Sequence, residues 1–496
     1  MCIATPSSRE DEMAASDQAL AGPKAAALAL HRFGFGPAAG QIEGIGSDPR
    51  GALLADLDRP SAGTLTVDLP SSAQAARAVF DFQAERRARQ KLALRAQKAD
   101  ETSGEMQADA NQAMSEPAKI AGPNEEHGPK QPPLPQALLL NEAKARFDAA
   151  TGAEIGFVER LVWFWSNHFC VSADKIVAMA GPYEREAIRP HVLGHFGDLL
   201  RAVDSHPAML FYLDNVESMG PDSIAGIDRD KGLNENLARE TLELHTLGVR
   251  SGYTQTDVTS FAKVLTGWTW FPPSEPESGG EFVFNKLLHE PGPQTVLGKS
   301  YAEAGIDQGR ALLADLARHP ATARHMAQQL ASHFIADTPP PTLVDKLTRT
   351  FKDSDGNLKE VAKTLINADE SWTAQRQKLK TPAVWVASLL RVTGAQALFP
   401  IGQIVNAQAS LGEPLWRPPA PNGFSDTEAA LIDGVPRRLD IANAFAARLA
   451  MVEPLALLAS SIGPLASAQT RDTVAHAETR RQAVALLAMA PEFLRN

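Results

Sequence analysis

The chain has 496 residues, 44% of them hydrophobic, which is enough to bury a large core. Its 48 basic and 59 acidic residues give a formal net charge of −11, which argues against a general binding surface for nucleic acids or anionic membranes. No run of the sequence approaches the roughly 20 apolar residues that a membrane-spanning helix needs. We therefore expect neither a nucleic-acid partner nor a membrane span.

The amino-terminal segment is charged and lacks an apolar run. Arg9, Glu10, Asp11 and Glu12 stand where a signal peptide would be hydrophobic. We therefore predict a disordered tail over residues 1–20 and a cytoplasmic protein as the sequence stands. If the amino terminus is incomplete, we expect an exported, periplasmic protein instead.

The first helical pattern covers residues 24–33. Arg32 lies between apolar residues at the end of this pattern, so it is a candidate counter-charge for a buried acid. A solvated arginine is the simpler interpretation. The candidate acid, Glu240, lies in a later helix.

A basic, helix-favouring stretch begins at residue 81, and apolar periodicity is lost over residues 99–136. We interpret residues 86–136 as an inserted arm, helical at its start and mobile beyond. The patterns on both sides of the arm are helical with short connectors. We therefore predict one large α-helical domain over residues 21–496, with only short β segments such as residues 281–285.

A helix that is apolar almost all round is predicted for residues 157–171, as expected for a buried helix. Asn167 and His168 are its polar exceptions. A lone histidine in such a helix is more often a satisfied core residue than a metal ligand. Here, however, a second helix with polar side chains in apolar surroundings follows along the chain.

This second helix covers residues 234–248. At about 100° per residue, Glu240 falls in the middle of its leucine stripe. An unpaired carboxylate there would cost several kcal/mol or would take up a proton, so Glu240 should have an arginine, a histidine or a metal ion as its partner. Asn236 and Glu243 lie on the adjoining flank and could share that partner. Further along, His289 lies on a constrained loop from which it could approach a pocket.

The chain resembles the bacterial family called domain of unknown function 1800. The resemblance rests on a block at residues 234–248, on Gly252 to Val258 with Asp257, and on Leu265 to Trp268. Other matching stretches include residues 164–169 and Pro418 to Phe424. The resemblance implies one family-length α-helical unit but no established activity. It also implies a sulfatase-like protein, encoded nearby, as a partner.

Three functions fit these residues. The first is a metal-assisted hydrolase, because mixed histidine and carboxylate ligands suit zinc, manganese or iron. The second is hydrolysis without metal, with Glu240 and Glu243 as an acid and base pair. The third is a non-catalytic helical scaffold or partner-binding protein, in which buried polar networks specify the helix packing.

The predicted site is made of residues from all of these segments. The catalytic candidates are Glu240, Glu243 and His168. The candidate ligands of a divalent metal are His168, Glu240, Glu243, His245 and His289. The other pocket candidates are Arg32, Asn167, Asn234, Asn236, Arg239, Asp257 and Trp268.

Overall fold

The computed structural model describes residues 22–108, 132–227, 229, 232–373, 376, 378–449 and 451–496. The predicted tail and residues 109–131 of the predicted arm lie outside the described residues. Within the described part the protein is mainly α-helical, as predicted.

The described residues up to Glu217 contain ten α-helices. They are α1 (Gly22–Arg32), α2 (Gln41–Ile45), α3 (Pro49–Asp58), α4 (Ser72–Ala108), α5 (Leu134–Gly152), α6 (Phe157–His168), α7 (Ala173–Ile176), α8 (Ala180–Tyr183), α9 (Phe196–Asp204) and α10 (Pro207–Tyr212). Shorter helical turns cover Glu184–Ile188, Arg189–His191 and Asn215–Glu217. The side chains of α4 from Gln83 to Lys98 are exposed, in agreement with a solvated arm.

The rest of the described chain is also built from helices. They are α11 (Asn236–Glu240), α12 (Gln255–Leu265), α13 (Ile306–Arg318), α14 (Pro320–Phe334), α15 (Pro341–Asp353), α16 (Leu358–Asn367), α17 (Pro382–Thr393), α18 (Ile401–Ser410), α19 (Glu428–Leu431), α20 (Val435–Ala446), α21 (Pro454–Ser461), α22 (Ala468–Ala475), α23 (Arg480–Ala488) and α24 (Pro491–Leu494). Short helical turns lie at Thr241–Thr246, Asp369–Trp372, Gln396–Leu398, Ile432–Gly434 and Gly463–Leu465.

Two small antiparallel pairs account for the strands among the described residues. Strand β1 (Trp268–Trp270) pairs with β2 (Phe282–Phe284), and β3 (Gln294–Val296) pairs with β4 (Lys299–Tyr301). Strand β2 falls within the strand-like run that the sequence predicts. No larger sheet is formed by the described residues, so the helices build most of the core, to which the strands add Trp268, Val296 and Tyr301.

Helix α6 runs through the core of the protein. Its side chains from Phe157 to Ser166 are all buried, which explains why its sequence is apolar on every side. Trp165 stacks on Phe169 and lies near Phe196 of α9. The buried apolar side chains form one continuous cluster from Ala25 to Leu494, with a small satellite near Val79. The carboxyl-terminal end of α6, with Asn167 and His168, therefore has a fixed position.

The block at residues 234–248 does not form one straight α-helix. Helix α11 ends at Glu240, and the chain continues to Thr246 in a wider turn with i to i+5 hydrogen bonds, such as Leu247 N–H to Leu242 O at 3.0 Å. The wider turn changes the direction of every later side chain relative to α11. None of the helices in the described ranges is long and apolar enough to cross a membrane.

Candidate functional site

His245 belongs to a closed polar network in the core. Its Nδ1 lies 3.0 Å from Asp204 Oδ1, and Thr241 Oγ1 donates to the other carboxylate oxygen at 3.0 Å. The three side chains are at most 1% exposed. Asp204 thus satisfies two groups of the wide turn at once, and His245 holds α9 against that turn. It acts here as a packing residue.

Other predicted pocket residues also cap or brace helices. Asn234 Oδ1 accepts the Asn236 N–H at 2.9 Å, at the start of α11. Asp257 forms a reciprocal capping box with Thr254 at the start of α12 and accepts the Leu297 N–H at 2.7 Å. Arg239 donates to the Glu235 carboxylate at 3.0 Å and lies 3.8 Å from Glu243. These contacts give the motif residues structural roles.

Glu240 is half-buried rather than enclosed. Burial raises the pKa of its carboxyl, the charge of Glu243 raises it further, and His245 and Arg239 lower it in part. Among the described residues, no hydrogen bond or ion pair to the carboxylate is found. The Glu240 carboxylate does not require the close partner that the sequence predicts, because part of the side chain remains in contact with solvent.

Three predicted residues lie in other surroundings. Arg32 is fully buried, so its interpretation as a solvated arginine is wrong, and it donates to Ser371 O at 2.7 Å. As a candidate counter-charge it is not among the groups that shift the pKa of Glu240. His289 Nδ1 lies 2.8 Å from Thr266 O. The buried indole of Trp268 packs edge-on against Phe282 in the first strand pair.

The five predicted metal ligands therefore do not form a cluster. Within the described ranges, no group of three or more His, Cys, Asp or Glu side chains is placed to hold a metal ion. The wide turn after Glu240 directs His245 to Asp204, while Thr266 holds His289. The donor set does not fit a metal, and no metal step follows from this geometry.

His168, Glu243 and Asn167 do meet, in a cavity of about 390 Å³ that we call the histidine cavity. Its polar lining also includes His325, Ser332, His333, Asp337, Lys378, Ser425 and Asp426. A second cavity of about 260 Å³, the proline-loop cavity, is lined by the Pro418 to Phe424 region and by α6, α17 and α18. Asn167, His333, Phe424, Ser425 and Asp426 line both cavities, so the two spaces share one wall.

His333 and Asp426 form a hydrogen-bonded pair in this shared wall. His333 Nδ1 lies 2.7 Å from Asp426 Oδ2, and the two side chains are 13% and 23% exposed, so solvent reaches them. Lys378 Nζ donates to the second Asp426 oxygen at 2.9 Å and to Asp337 at 2.7 Å. His333 Nε2 has only a long approach from Arg160, at 3.5 Å.

The electrostatics of this pair favour a neutral imidazole beside an ionised carboxylate. Burial lowers the pKa of His333 more than the hydrogen bond to Asp426 raises it. Burial raises the pKa of Asp426, but the hydrogen bond with His333 and the charge of Lys378 outweigh it, so the net pKa is well below the usual range. The Asp426 carboxylate therefore fixes the proton on Nδ1 and leaves Nε2 as an acceptor.

Asn167 positions the loop that carries Asp426. Its side-chain amide donates to Phe424 O at 2.9 Å, and its carbonyl oxygen accepts the Phe424 N–H at 2.8 Å. Gly423 has φ +75°, and an added Cβ would lie 2.5 Å from Asn167 O. Only glycine fits this close approach. The predicted polar exception in α6 therefore clamps the loop two residues before Asp426.

Glu413 lies in the wall of the proline-loop cavity. Burial raises the pKa of its carboxyl to about 7, although the Ala383 N–H and the charge of Arg146 act in the opposite direction. His333 in the same cavity has a lowered pKa. Two titratable groups whose pKa values are shifted from their usual ranges are typical of acid and base sites.

The sequence analysis missed His333, Asp426, Lys378 and Glu413. His333 lies in an amphipathic helix whose pattern is ordinary, and its partner Asp426 is 93 residues away along the chain. The one local signal is the Pro418 to Phe424 stretch, which ends two residues before Asp426.

The fold and this geometry define a mainly α-helical protein with a polar double cavity between α6, α14 and the proline-rich loop. The chain belongs to the family described as protein of unknown function (DUF1800), whose model matches residues 28–495. Neither the curated proteins nor the solved structures gave a significant match.

Proposed function

We propose that the chain is a metal-independent hydrolase in which His333 accepts a proton from water. The observation that carries the proposal is the 2.7 Å hydrogen bond between His333 and Asp426, in the wall that both cavities share. General bases of this kind need a neutral imidazole in a cavity where a substrate can meet it. The lowered pKa of His333 supplies that protonation state at neutral pH.

In the proposed reaction, His333 Nε2 takes a proton from a water molecule while the water oxygen bonds to an electrophilic carbon or phosphorus atom of the substrate, and the bond from that atom to the leaving group breaks. The Nδ1 proton stays hydrogen-bonded to Asp426, whose charge stabilises the imidazolium that forms. Glu413, which is close to half-protonated near pH 7, is the candidate donor to the leaving group. Hydrolysis through Glu240 and Glu243 receives less support, because Glu243 lines the histidine cavity whereas Glu240 is not part of its lining.

A chromogenic panel tests this proposal. Purified wild type and His333→Gln are assayed on p-nitrophenyl acetate, p-nitroacetanilide, p-nitrophenyl phosphate and p-nitrophenyl β-glucoside. We expect hydrolysis of at least one compound that depends on His333. The exposed His476→Gln is the matched control and should retain the rate. If the wild type hydrolyses none of the four compounds faster than His333→Gln does, the proposal is wrong.

A scaffold role is the second candidate, and one observation favours it. Arg189, which is 1% exposed, donates to Glu159 at 2.8 Å and to Glu184 at 3.2 Å, and Arg146 lies 2.9 Å from Glu184. A buried network of this kind can specify helix packing without any catalysis. In a scaffold, His333→Gln would change the stability or partner binding, and no hydrolysis would be found.

The sulfatase-like partner remains a proposal that rests on the family resemblance alone. Co-expression of the two proteins followed by size-exclusion chromatography tests it, with co-elution as the expected result. A cytoplasmic location is likewise a prediction, and fractionation of cells that express the native gene tests it.

A further inference from the structure

Two residues that line the proline-loop cavity carry buried polar atoms without a partner. Gln408 and Trp163 both line it, and they are 1% and 6% exposed. Gln408 Oε1 and Trp163 Nε1 have no hydrogen-bond partner among the described residues. Such an atom loses the hydrogen bonds that it would make to water in the unfolded chain, so two of them in residues that line one cavity need an explanation.

The lining of the cavity contains two arginines, Arg146 and Arg160, and two carboxyls, those of Glu413 and Asp426. Arg146 is already occupied, because it pairs with Glu184 at 2.9 Å. Asp426 is also occupied, because Lys378 donates to it at 2.9 Å. A charged ligand would compete with these existing pairs. The lining therefore favours an uncharged polar ligand over a carboxylate or an amine.

Gln408 itself indicates the chemistry of that ligand. A glutamine side chain presents a carbonyl acceptor and an N–H donor side by side. A carboxamide group presents the complementary pair, so the two can exchange hydrogen bonds reciprocally. A cavity of about 260 Å³ holds one small acyl-amide group, and the rest of a larger molecule can extend into the adjoining histidine cavity.

We infer that the proline-loop cavity binds a carboxamide, held by Gln408. This inference rests on the proposed function in one respect, because it names an amide as the substrate class for the His333 and Asp426 pair. The binding step itself does not involve His333. Amide binding and hydrolysis can therefore be measured separately.

The same inference predicts an unusual effect on stability. Gln408→Leu removes a buried acceptor that lacks a partner and fills the space with an apolar side chain. The variant should therefore melt no lower than wild type in the absence of ligand. A structural glutamine would behave in the opposite way, since its loss would lower the melting temperature. Gln403→Leu is the matched control, because Gln403 is an exposed glutamine on the same helix, α18.

The test is saturation-transfer NMR with N-acetylglycinamide as the probe and sodium acetate as the charged comparison. We expect millimolar binding of the amide to wild type and to Gln403→Leu, at least tenfold weaker binding to Gln408→Leu, and at least tenfold weaker binding of acetate to wild type. Trp163→Phe provides a second variant with the same expected loss. Equal binding to Gln408→Leu and wild type, equal binding of acetate, or no amide binding to wild type would overturn the inference.

The outcomes also separate the two proposals. Amide binding without any hydrolysis that depends on His333 would leave the binding inference standing and reject the hydrolase. Hydrolysis of p-nitrophenyl acetate that depends on His333, without amide binding, would reject the carboxamide site alone.

Discussion

Two regions of this protein are rich in polar side chains, and they differ in how those side chains are satisfied. In the block at residues 234–248, His245 and Thr241 share the buried Asp204, and Arg239 pairs with Glu235. In the double cavity, His333 Nε2 has only a long contact, and Gln408 Oε1 has no partner among the described residues. Apart from the half-buried Glu240, the first pattern is that of a structural network, and the second is the pattern on which we base the proposed ligand site.

We expect the largest effect of a substitution, a loss of hydrolytic rate, at Asp426. Asp426→Asn removes the carboxylate that orients and stabilises the imidazole of His333, so the hydrolytic rate should fall by about 10²–10⁴-fold. The fold should survive, because Lys378 keeps Asp337 as a partner. Rates on the substrate found in the chromogenic panel, together with thermal melts, measure both effects. Asp337→Asn is the control, and an equal loss of rate in that variant would contradict the assignment.

Substitutions in the structural network should change the stability of the protein rather than a hydrolytic rate. Asp204→Ala leaves the His245 imidazole buried without its acceptor, while Thr241 keeps the Leu237 carbonyl at 2.8 Å, so the free energy of unfolding should fall by about 2–3 kcal/mol. Urea unfolding followed by circular dichroism measures this loss. Asp198→Ala on the same helix removes only an exposed pair with Arg201 and should cost less than about 1 kcal/mol. If the two substitutions lowered the free energy of unfolding equally, Asp204 would not be part of a buried structural network.

A pH series tests two histidines whose pKa values are lowered by burial, His31 and His168. Burial lowers the pKa values of His31 and His168 well below the usual range, so both are neutral in the folded protein, whereas the unfolded chain takes up protons near pH 6.5. Stability should be complete above that pH and should fall on acidification, by on the order of 1 kcal/mol for each histidine between pH 7.5 and 5.5.

Urea unfolding at the two pH values checks this dependence. His168→Asn should show a smaller loss on acidification than wild type, and the exposed His476→Asn should match wild type. A protein that becomes more stable as the pH falls from 7.5 to 5.5 would show that these histidines are protonated in the folded state.

The smallest effect is expected at Glu240, the residue that the sequence places at the centre of the site. Burial raises the pKa of its carboxyl, so the folded state disfavours the charged form. Glu240→Gln removes the charge and should raise the free energy of unfolding at pH 7 by less than about 1 kcal/mol. Chemical denaturation of wild type and Glu240→Gln measures this difference in the free energy of unfolding. A loss of more than about 3 kcal/mol would mean that Glu240 is part of a buried pair after all.

The sequence predicts the helical class well, because helical periodicity and caps are local properties. It also finds Asn167, His168 and Glu243, which reach the histidine cavity, because polar residues in apolar helices are visible without a structure. It cannot show that Asp204 lies beside His245, 41 residues away, nor that Asp426 meets His333. Such pairs depend on how helices pack.

The packing partners of each residue account for the difference between the predicted and the observed site. Even on a straight helix, His245 would point roughly 140° away from Glu240, so the wide turn alone does not remove His245 from the predicted cluster. Asp204 on α9 holds His245 in the core, with 3.0 Å between the imidazole and the carboxylate. Thus the same residues that predict a metal cluster form a packing network.

The protonation state of His333 tests the central claim most directly. Two-bond ¹H–¹⁵N correlation spectra of imidazole-labelled protein, assigned by comparison with His333→Gln, report which ring nitrogen carries the proton. We predict a neutral ring at pH 7.5 with the proton on Nδ1 and a bare Nε2, held by the 2.7 Å contact with Asp426. A cationic ring at pH 7.5, or a neutral ring with the proton on Nε2, would contradict the account, because His333 then could not accept a proton from water in the cavity.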